Sequence, residues 1–355
     1  MTVSARLAVL PPGQRQLELH AVVLPEPGLF EVVVEQRAAG ICHSQLHQIN
    51  AVRSQPLVLG HESTGRVAAV GSEVEYVEVG DDVLVTWLPR SPSIGRAPAP
   101  SKVPLADGEW AVTHNIYTWG THTVVDEQFV VRAPEGTPGD VGSIIGCAVM
   151  TGAGAVLNTA AAGPGDSVAV WGVGGVGLSA VAAAHNAGAF PVIAVDLNKD
   201  KLQLARDLGA DHIVDASEAD PVARVREFTK TAGGAGADFA FDCIGRVETV
   251  RQSLAAVRSA PTGKGPGGTV VLVGAPPAPL EIDGMDLMVG EKRLVGCLGG
   301  DCVPGRDFET FVKWYSTGRL NLNALVSNRY SLEQINYAIE DLRTGRVPGR
   351  AIVEF

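Results

Sequence analysis

Residues 167–187 read SVAVWGVGGVGLSAVAAAHNA. Ser167–Trp171 is a short, valine-rich apolar run, which predicts a strand buried on both faces. A glycine turn follows, Gly172-Val173-Gly174-Gly175-Val176-Gly177, and Leu178–Ala187 continues as a helix of small residues. Between a strand and a helix, a G-x-G-x-x-G turn has a mechanism that an isolated glycine cluster lacks. The first glycine makes the turn, the second lets the backbone approach a pyrophosphate, and the third lets the helix pack on the strand. The phosphates then face free N–H groups and the positive end of the helix dipole.

The rhythm continues outward from this turn. Val192–Val195 reads as the next strand and Asn198–Leu208 as the next helix, with Asp238–Phe241 and Thr269–Val273 as further strands. Strands alternating with helices at this spacing predict βαβ units and a parallel sheet. Asp196 lies 19 residues after Gly177, at the end of the second strand. A carboxylate there accepts hydrogen bonds from the adenosine ribose hydroxyls and repels a 2′-phosphate, so NAD is expected over NADP. Lys201 falls within reach of the same ribose. A helix-capping role is the competing reading of Asp196.

Residues 1 to about 150 have a different texture. Leu17–Val23, Glu31–Glu35, Thr64–Val70 and Asp82–Thr86 are short alternating runs closed by Gly, Pro or Asp, which predict a β-rich unit. Ser91 to Pro104 holds four prolines and no periodicity, as an exposed arm would. After about residue 300 the character is mixed, with helices expected near Arg306–Ser316 and Leu332–Arg343 and a closing strand at Arg350–Phe355.

Composition bounds the function. A chain of 355 residues exceeds what one core usually spans, so two domains are expected. With 46% hydrophobic and 19% charged residues it has ample material to bury. A net charge of -11 argues against nucleic acid as the main partner. Met1 to Gly13 has no apolar core of a secretory signal. The charge-free stretch Ser167–Val195 is broken by five glycines and a proline, which argues against a membrane span. Five widely spaced cysteines suit a reducing cytoplasm.

Two of those cysteines, with one histidine, suggest a metal. Cys42 and His61 lie in the β-rich half and Cys147 just before the parallel sheet. Two sulfurs and one nitrogen with an open fourth position form a catalytic zinc set, whereas a structural site normally closes with a fourth protein ligand. A lone buried cysteine is more often a small apolar filler, so the flanks matter. Cys243, Cys297 and Cys302 read as packing thiols.

Gly60-His61-Glu62-Ser63-Thr64-Gly65, followed by Gly71 and Val74, resembles the zinc signature of the medium-chain dehydrogenase/reductase family. Gly40-Ile41-Cys42-His43-Ser44 and Gly146-Cys147, with Thr151-Gly152 after it, resemble two more of its segments. The glycine turn, Asp196, Val273-Gly274 and Arg350 fall in family order, so the resemblance covers nearly the whole chain, and the zinc-dependent alcohol dehydrogenase branch is the match. It implies a Rossmann-type doubly wound parallel sheet at 150–299 and a β-rich GroES-like catalytic domain from 1–149 and 300–355.

The resemblance also implies roles. Cys42, His61 and Cys147 would hold one catalytic Zn2+, with Glu62 near the metal during ligand exchange. Ser44 would take the alcohol proton and His47 would end that relay, although His47 also reads as an ordinary surface histidine. His43 and Arg350 would contact the NAD pyrophosphate. Thr151 and Val176 would press on the nicotinamide, and the backbone near Val273 would bind its carboxamide. Trp87 and Trp119 fall where aromatic pocket walls are expected, as in the branch with formaldehyde and aryl-alcohol dehydrogenases; core packing is their competing reading. The expected activity is hydride transfer between a small primary alcohol, aromatic ones included, and NAD, in a cytoplasmic homo-oligomer. A biosynthetic zinc reductase and a non-catalytic NAD-binding protein are the alternatives.

Two departures from the family stand out. Gln45 occupies the place where a carboxylate usually supports the ligand histidine and raises its basicity. Between Trp87 and Trp119 there is no cysteine, so the four-cysteine structural zinc cannot form and one zinc per chain is expected.

Overall fold

The computed structural model describes residues 3–98, 102–106, 108–231, 234–260 and 266–355. Part of the proline-rich arm, residues 99–101, lies outside the described residues. The chain divides into two compact units. One comprises Met1–Cys147, Val303–Ser316 and Val326–Phe355, the other Ala148–Cys302 and Thr317–Leu325.

The second unit is built on a six-stranded parallel sheet. Its order is His212–Asp215, Val192–Asp196, Val168–Trp171, Phe239–Asp242, Thr269–Leu272 and Arg293–Gly296. The first strand of the unit in sequence therefore sits in the middle, and the chain winds away from it in both directions. The ends of Val168–Trp171 and Phe239–Asp242 mark the switch point where doubly wound sheets open a crevice for ligands. Ala169, Trp171, Ile193, Val195, Ala240 and Val270 are buried in one core cluster, which is why these strands are nearly continuous apolar runs.

The first unit is all sheet apart from its helices. One sheet orders Val130–Arg132, Asp82–Thr86, Glu62–Val70, Glu31–Ile41, Arg350–Glu354 and Val326–Ser331, with His122–Asp126 also paired to Glu31–Ile41. A second sheet orders Glu18–Leu24, Val3–Leu10, Leu57–Val58, Trp110–Val112 and Lys102–Pro104. The closing strand runs antiparallel to Glu31–Ile41, with Ile352 opposite Gly40, and Ser63 opposes Ala39 on the other side. These neighbours bring three distant segments of chain to one spot.

The proline-rich arm is more structured than its composition predicts. Lys102–Pro104 pairs with Trp110–Val112, and Arg96 forms two bonds to the Asp126 carboxylate, at 2.5 and 2.8 Å, while its guanidinium lies 4.0 Å from the centre of the Phe30 ring. The described part of the arm is thus fastened to its own chain. Trp119 takes the core position rather than the expected pocket wall. It is fully buried with Leu10, Ile41, Ile49 and Leu59, and its indole N–H donates to the Gly40 carbonyl at 3.2 Å. It is a core residue and walls no pocket. Trp87 is half-buried and packs against the cluster of Val83, Val85 and Phe129. Among the described residues one helical run, Val141–Thr159, is long and apolar enough to cross a membrane, and 89% of its apolar window is buried inside the protein.

Candidate metal centre and nucleotide turn

Strand Glu31–Ile41 hands over directly to helix His43–Asn50, and Cys42 is the residue between them, at the helix N-cap. His61 immediately precedes strand Glu62–Val70. Cys147 sits in a wide helical turn of π type at Ile145–Val149, the kind of local irregularity that gathers at functional sites. Thr86, a residue the motifs did not point to, fastens that turn: its hydroxyl donates to the Gly146 carbonyl at 2.8 Å.

The three side chains converge. The His61 Nε2 lies 3.2 Å from Cys147 Sγ, and Cys147 Sγ lies 4.0 Å from Cys42 Sγ. All three ligand atoms fall within 4.8 Å of one another. A tetrahedral zinc with sulfur at ~2.3 Å and nitrogen at ~2.0 Å requires edges of about 3.8 Å between sulfurs and about 3.5 Å between sulfur and nitrogen. The donor set and its spacing therefore fit zinc. The thiol of Cys42 is held well below the ordinary thiol range by its hydrogen bond with Cys147, helped by the positive charge of Arg350 and opposed by burial. That same bond, together with burial, pushes the Cys147 thiol well up. Metal binding would need both as thiolates, so it competes with the shared proton.

Around the trio lies a charged layer. Glu62 is fully buried, and both Nε and Nη2 of Arg350 donate to its Oε1, the former at 2.9 Å. Burial pushes the Glu62 carboxyl up, and the Arg350 charge opposes that rise. Arg350, which the resemblance assigns to the pyrophosphate, lies in this cluster, 4% exposed. Gly40 makes the arrangement possible, because a Cβ there would overlap the Glu62 carboxylate. Gln45, 1% exposed, accepts from the Cys42 N–H at 2.6 Å with Oε1 and sets Nε2 2.7 Å from His61 Nδ1. Ser44 and His47 are exposed on the same helix, three positions apart and therefore on neighbouring turns of one face, and His43 is exposed beside them.

The glycine turn has the anticipated geometry. Helix Gly175–Asn186 starts within it, three residues earlier than the sequence pattern predicts, with Gly174 at its N-cap. A Cβ on Gly177 would collide with the Gly172 carbonyl, so helix and strand approach as closely as only glycine permits. The Cβ side of Gly174 opens onto free space, and Gly174 and Val176 are partly exposed while Gly172, Gly175 and Gly177 are buried. Asp196 closes the turn. Its Oδ2 accepts from the Val173 N–H at 2.9 Å, and its Oδ1 accepts from the N–H groups of Leu197 and Asn198 at 2.8 and 3.0 Å. Asn198, rather than Asp196, caps the following helix, accepting from Asp200 and Lys201. Lys201 is half-buried in that helix's first turn. Thr151 is buried with its hydroxyl lacking a protein partner. Val273 follows strand Thr269–Leu272, its N–H held by the Asp242 carbonyl at 2.9 Å.

Comparison with known proteins agrees with this geometry. Residues 28–135 match the alcohol dehydrogenase GroES-like domain, and residues 175–317 match the zinc-binding dehydrogenase domain. The class-3 alcohol dehydrogenase of Cereibacter sphaeroides is 33% identical across 96% of this chain and 97% of its own length. Among solved structures, an alcohol dehydrogenase zinc-binding domain protein from Burkholderia ambifaria is 31% identical, with a TM-score of 0.90 and full coverage of both chains. Benzyl alcohol dehydrogenase from Acinetobacter calcoaceticus is 30% identical, with a TM-score of 0.87 over 99% of each chain. With its GroES-like and Rossmann-type units and its Cys42–His61–Cys147 cluster, the chain belongs to the zinc-dependent alcohol dehydrogenase branch of the medium-chain dehydrogenase/reductase family.

Proposed function

We propose that the protein oxidises a small primary alcohol, aromatic ones included, with NAD, and runs the reverse reaction with the aldehyde and NADH. The observation that carries this reading is the joining of a sulfur–nitrogen–sulfur cluster to a helix, starting at Cys42, whose exposed face bears Ser44 and His47. Bound zinc supplies Lewis-acid polarisation of a substrate oxygen, and bound nicotinamide supplies the hydride acceptor. Ser44 takes the hydroxyl proton. His47, exposed on the same helix face, would accept it at the outer end of the relay. Thr151 and Val176 would press the nicotinamide into place, and the backbone near Val273 would bind its carboxamide. Asp196 and Lys201 serve the adenosine ribose, and the Asp196 carboxylate favours NAD over NADP.

The relatives lend the substrate reading its support, since benzyl alcohol dehydrogenase is among the similar structures. Half-buried Trp87 is the aromatic residue left as a pocket wall. We place the protein in the cytoplasm as a homo-oligomer. Strand Arg293–Gly296 is an edge of the parallel sheet, and Met285, Met288, Val289 and Leu298 are each at least 60% exposed in and beside the adjoining segments. An unpaired strand edge with apolar neighbours suits pairing with a second copy.

The test is alcohol-dependent NADH formation with a panel of small aliphatic, aromatic and thiol-adduct alcohols. Activity that a chelator abolishes and zinc restores is expected, with about one zinc bound per chain at full activity. Turnover that survives complete metal removal would overturn the reading.

A further inference from the structure

Gln45 stands between two of the metal-ligand candidates, and its hydrogen-bond inventory does not match what a bound metal asks of it. The residue is third in helix His43–Asn50, where Gln and Glu commonly reach back to the N-cap backbone. It does so here: the Cys42 N–H donates to Oε1 at 2.6 Å. A backbone N–H can only donate, so the oxygen must lie on the Cys42 side and the amide NH2 must face His61 Nδ1, 2.7 Å away. The side chain is 1% exposed, so surface water has almost no access to it.

A histidine that gives its Nε2 lone pair to zinc carries its proton on Nδ1, and that proton needs an acceptor. The His61 Nε2, at 3.2 Å from Cys147 Sγ, is the nitrogen turned to the cluster. The bound arrangement therefore presents Gln45 with two donors, the Cys42 N–H and the His61 Nδ1–H. A primary amide has one acceptor oxygen, and although that oxygen carries two lone pairs it sits on the Cys42 side, with Nε2 rather than Oε1 against His61. If it serves Cys42, two donors face each other at His61; if it turns over, the Cys42 N–H is left against the NH2 group. A carboxylate of the same length has an oxygen for each.

We infer that Gln45 is a positioning residue that sets the metal affinity of this site, and that its single acceptor makes the site hold zinc more weakly than a glutamate at the same position would. The inference rests on the proposed zinc reading and concerns how firmly, rather than whether, the metal is held. Buried polar groups left unpaired are costly, and altering the support of a ligand histidine typically changes metal affinity 10–100-fold.

The experiment measures zinc affinity of the full chain by competition with a chromophoric chelator, for the wild type, Gln45→Glu and Gln45→Met. Gln45→Glu is expected to bind zinc at least about tenfold more tightly, and Gln45→Met, which keeps the volume and loses both polar contacts, at least about tenfold more weakly. Ring 15N shifts of His61 give a second readout that a merely structural role would not move. On zinc addition to the wild type the proton is expected to transfer from Nε2 to Nδ1, whereas in Gln45→Glu it is expected on Nδ1 before zinc is added. Glutamate affinity within threefold of the wild type overturns the inference. Should that variant fail to fold, unchanged zinc affinity in Gln45→Met overturns it alone. A wild type that binds no zinc defeats the functional reading instead, so the two failures are distinguishable.

Discussion

Arg350 and Glu62, 288 positions apart in sequence, form an ion pair that solvent scarcely touches, since Arg350 is 4% exposed and Glu62 fully buried. The pair sits beside the two cysteines, whose thiolates a bound metal would neutralise. Removing one partner of such a pair leaves an uncompensated buried charge, which costs far more than removing both. Arg350→Met is therefore expected to lose about 3–5 kcal/mol of stability. The double variant Glu62→Gln/Arg350→Met should lose clearly less. Urea denaturation midpoints decide it, and equal losses would show that the pairing does not matter.

Gly40 lies on the strand between those carrying Glu62 and Arg350. A methyl group there would overlap the Glu62 carboxylate, which has nowhere to go in a fully buried site. Gly40→Ala should cost about 1–3 kcal/mol by overpacking. It should also reduce the zinc retained after dialysis, because the displaced carboxylate adjoins His61. Metal content and thermal midpoint measure the two effects.

One contribution to the acid limb of stability lies at the surface. Glu333 pairs with Arg6, and that contact, with help from its own helix-start N–H and from Ser331, holds its carboxyl down at about 2 against a usual 4.5. Its folded value is depressed, so between about 4.5 and about 2 the unfolded chain binds more protons. The contribution is present above that window and lost as pH falls through it. Arg6→Ala should give a flatter decline of stability across that window. The pair is solvent-exposed, so added salt should shrink the difference.

Asp196 holds the Val173 N–H of the glycine turn as well as facing the place proposed for the ribose. Asp196→Ser keeps an acceptor and removes the charge that would repel a 2′-phosphate. The ratio of kcat/KM for NAD over NADP is expected to fall at least about tenfold. A ratio that stays constant would remove Asp196 from the specificity argument.

Met288, 66% exposed on helix Gly284–Gly290, tests the proposed assembly. Met288→Asp places a charge in an apolar patch that pairing would bury, which is costly without a partner. Light scattering should show a lower mass in solution than for the wild type. An unchanged mass would move the interface elsewhere.

Local chemistry was enough for much of this protein. A strand, a glycine turn and a helix are specified by neighbours in sequence, and the structure returns strand Val168–Trp171 and helix Gly175–Asn186, the helix taking in the last three residues of the glycine motif. Strand Asp82–Thr86 appears at the bounds its alternation predicts. The identity of Cys42, His61 and Cys147 was also legible, because each lies in a short glycine-marked segment. Helix His43–Asn50 was not anticipated: a polar eight-residue stretch has weak periodicity, and its start is set by Cys42 capping and tertiary contacts. Trp119 could be read as a channel wall or as core, since a tryptophan's apolar face suits both, and only its packing against Leu10 and Ile49 decided.

By itself, then, the sequence determined what is encoded within a turn or two: the nucleotide-type turn, the β-rich and parallel-sheet textures, and which side chains are chemically able to bind zinc. Tertiary structure decided which of them meet. Register between Glu31–Ile41 and its two neighbouring strands puts Gly40, Glu62 and Arg350 at one point, and the helix start at Cys42 turns Gln45 onto His61. Those contacts join positions 16 to 288 residues apart. Contacts of that span depend on how strands pair across the whole unit, and no local pattern of residues carries that information.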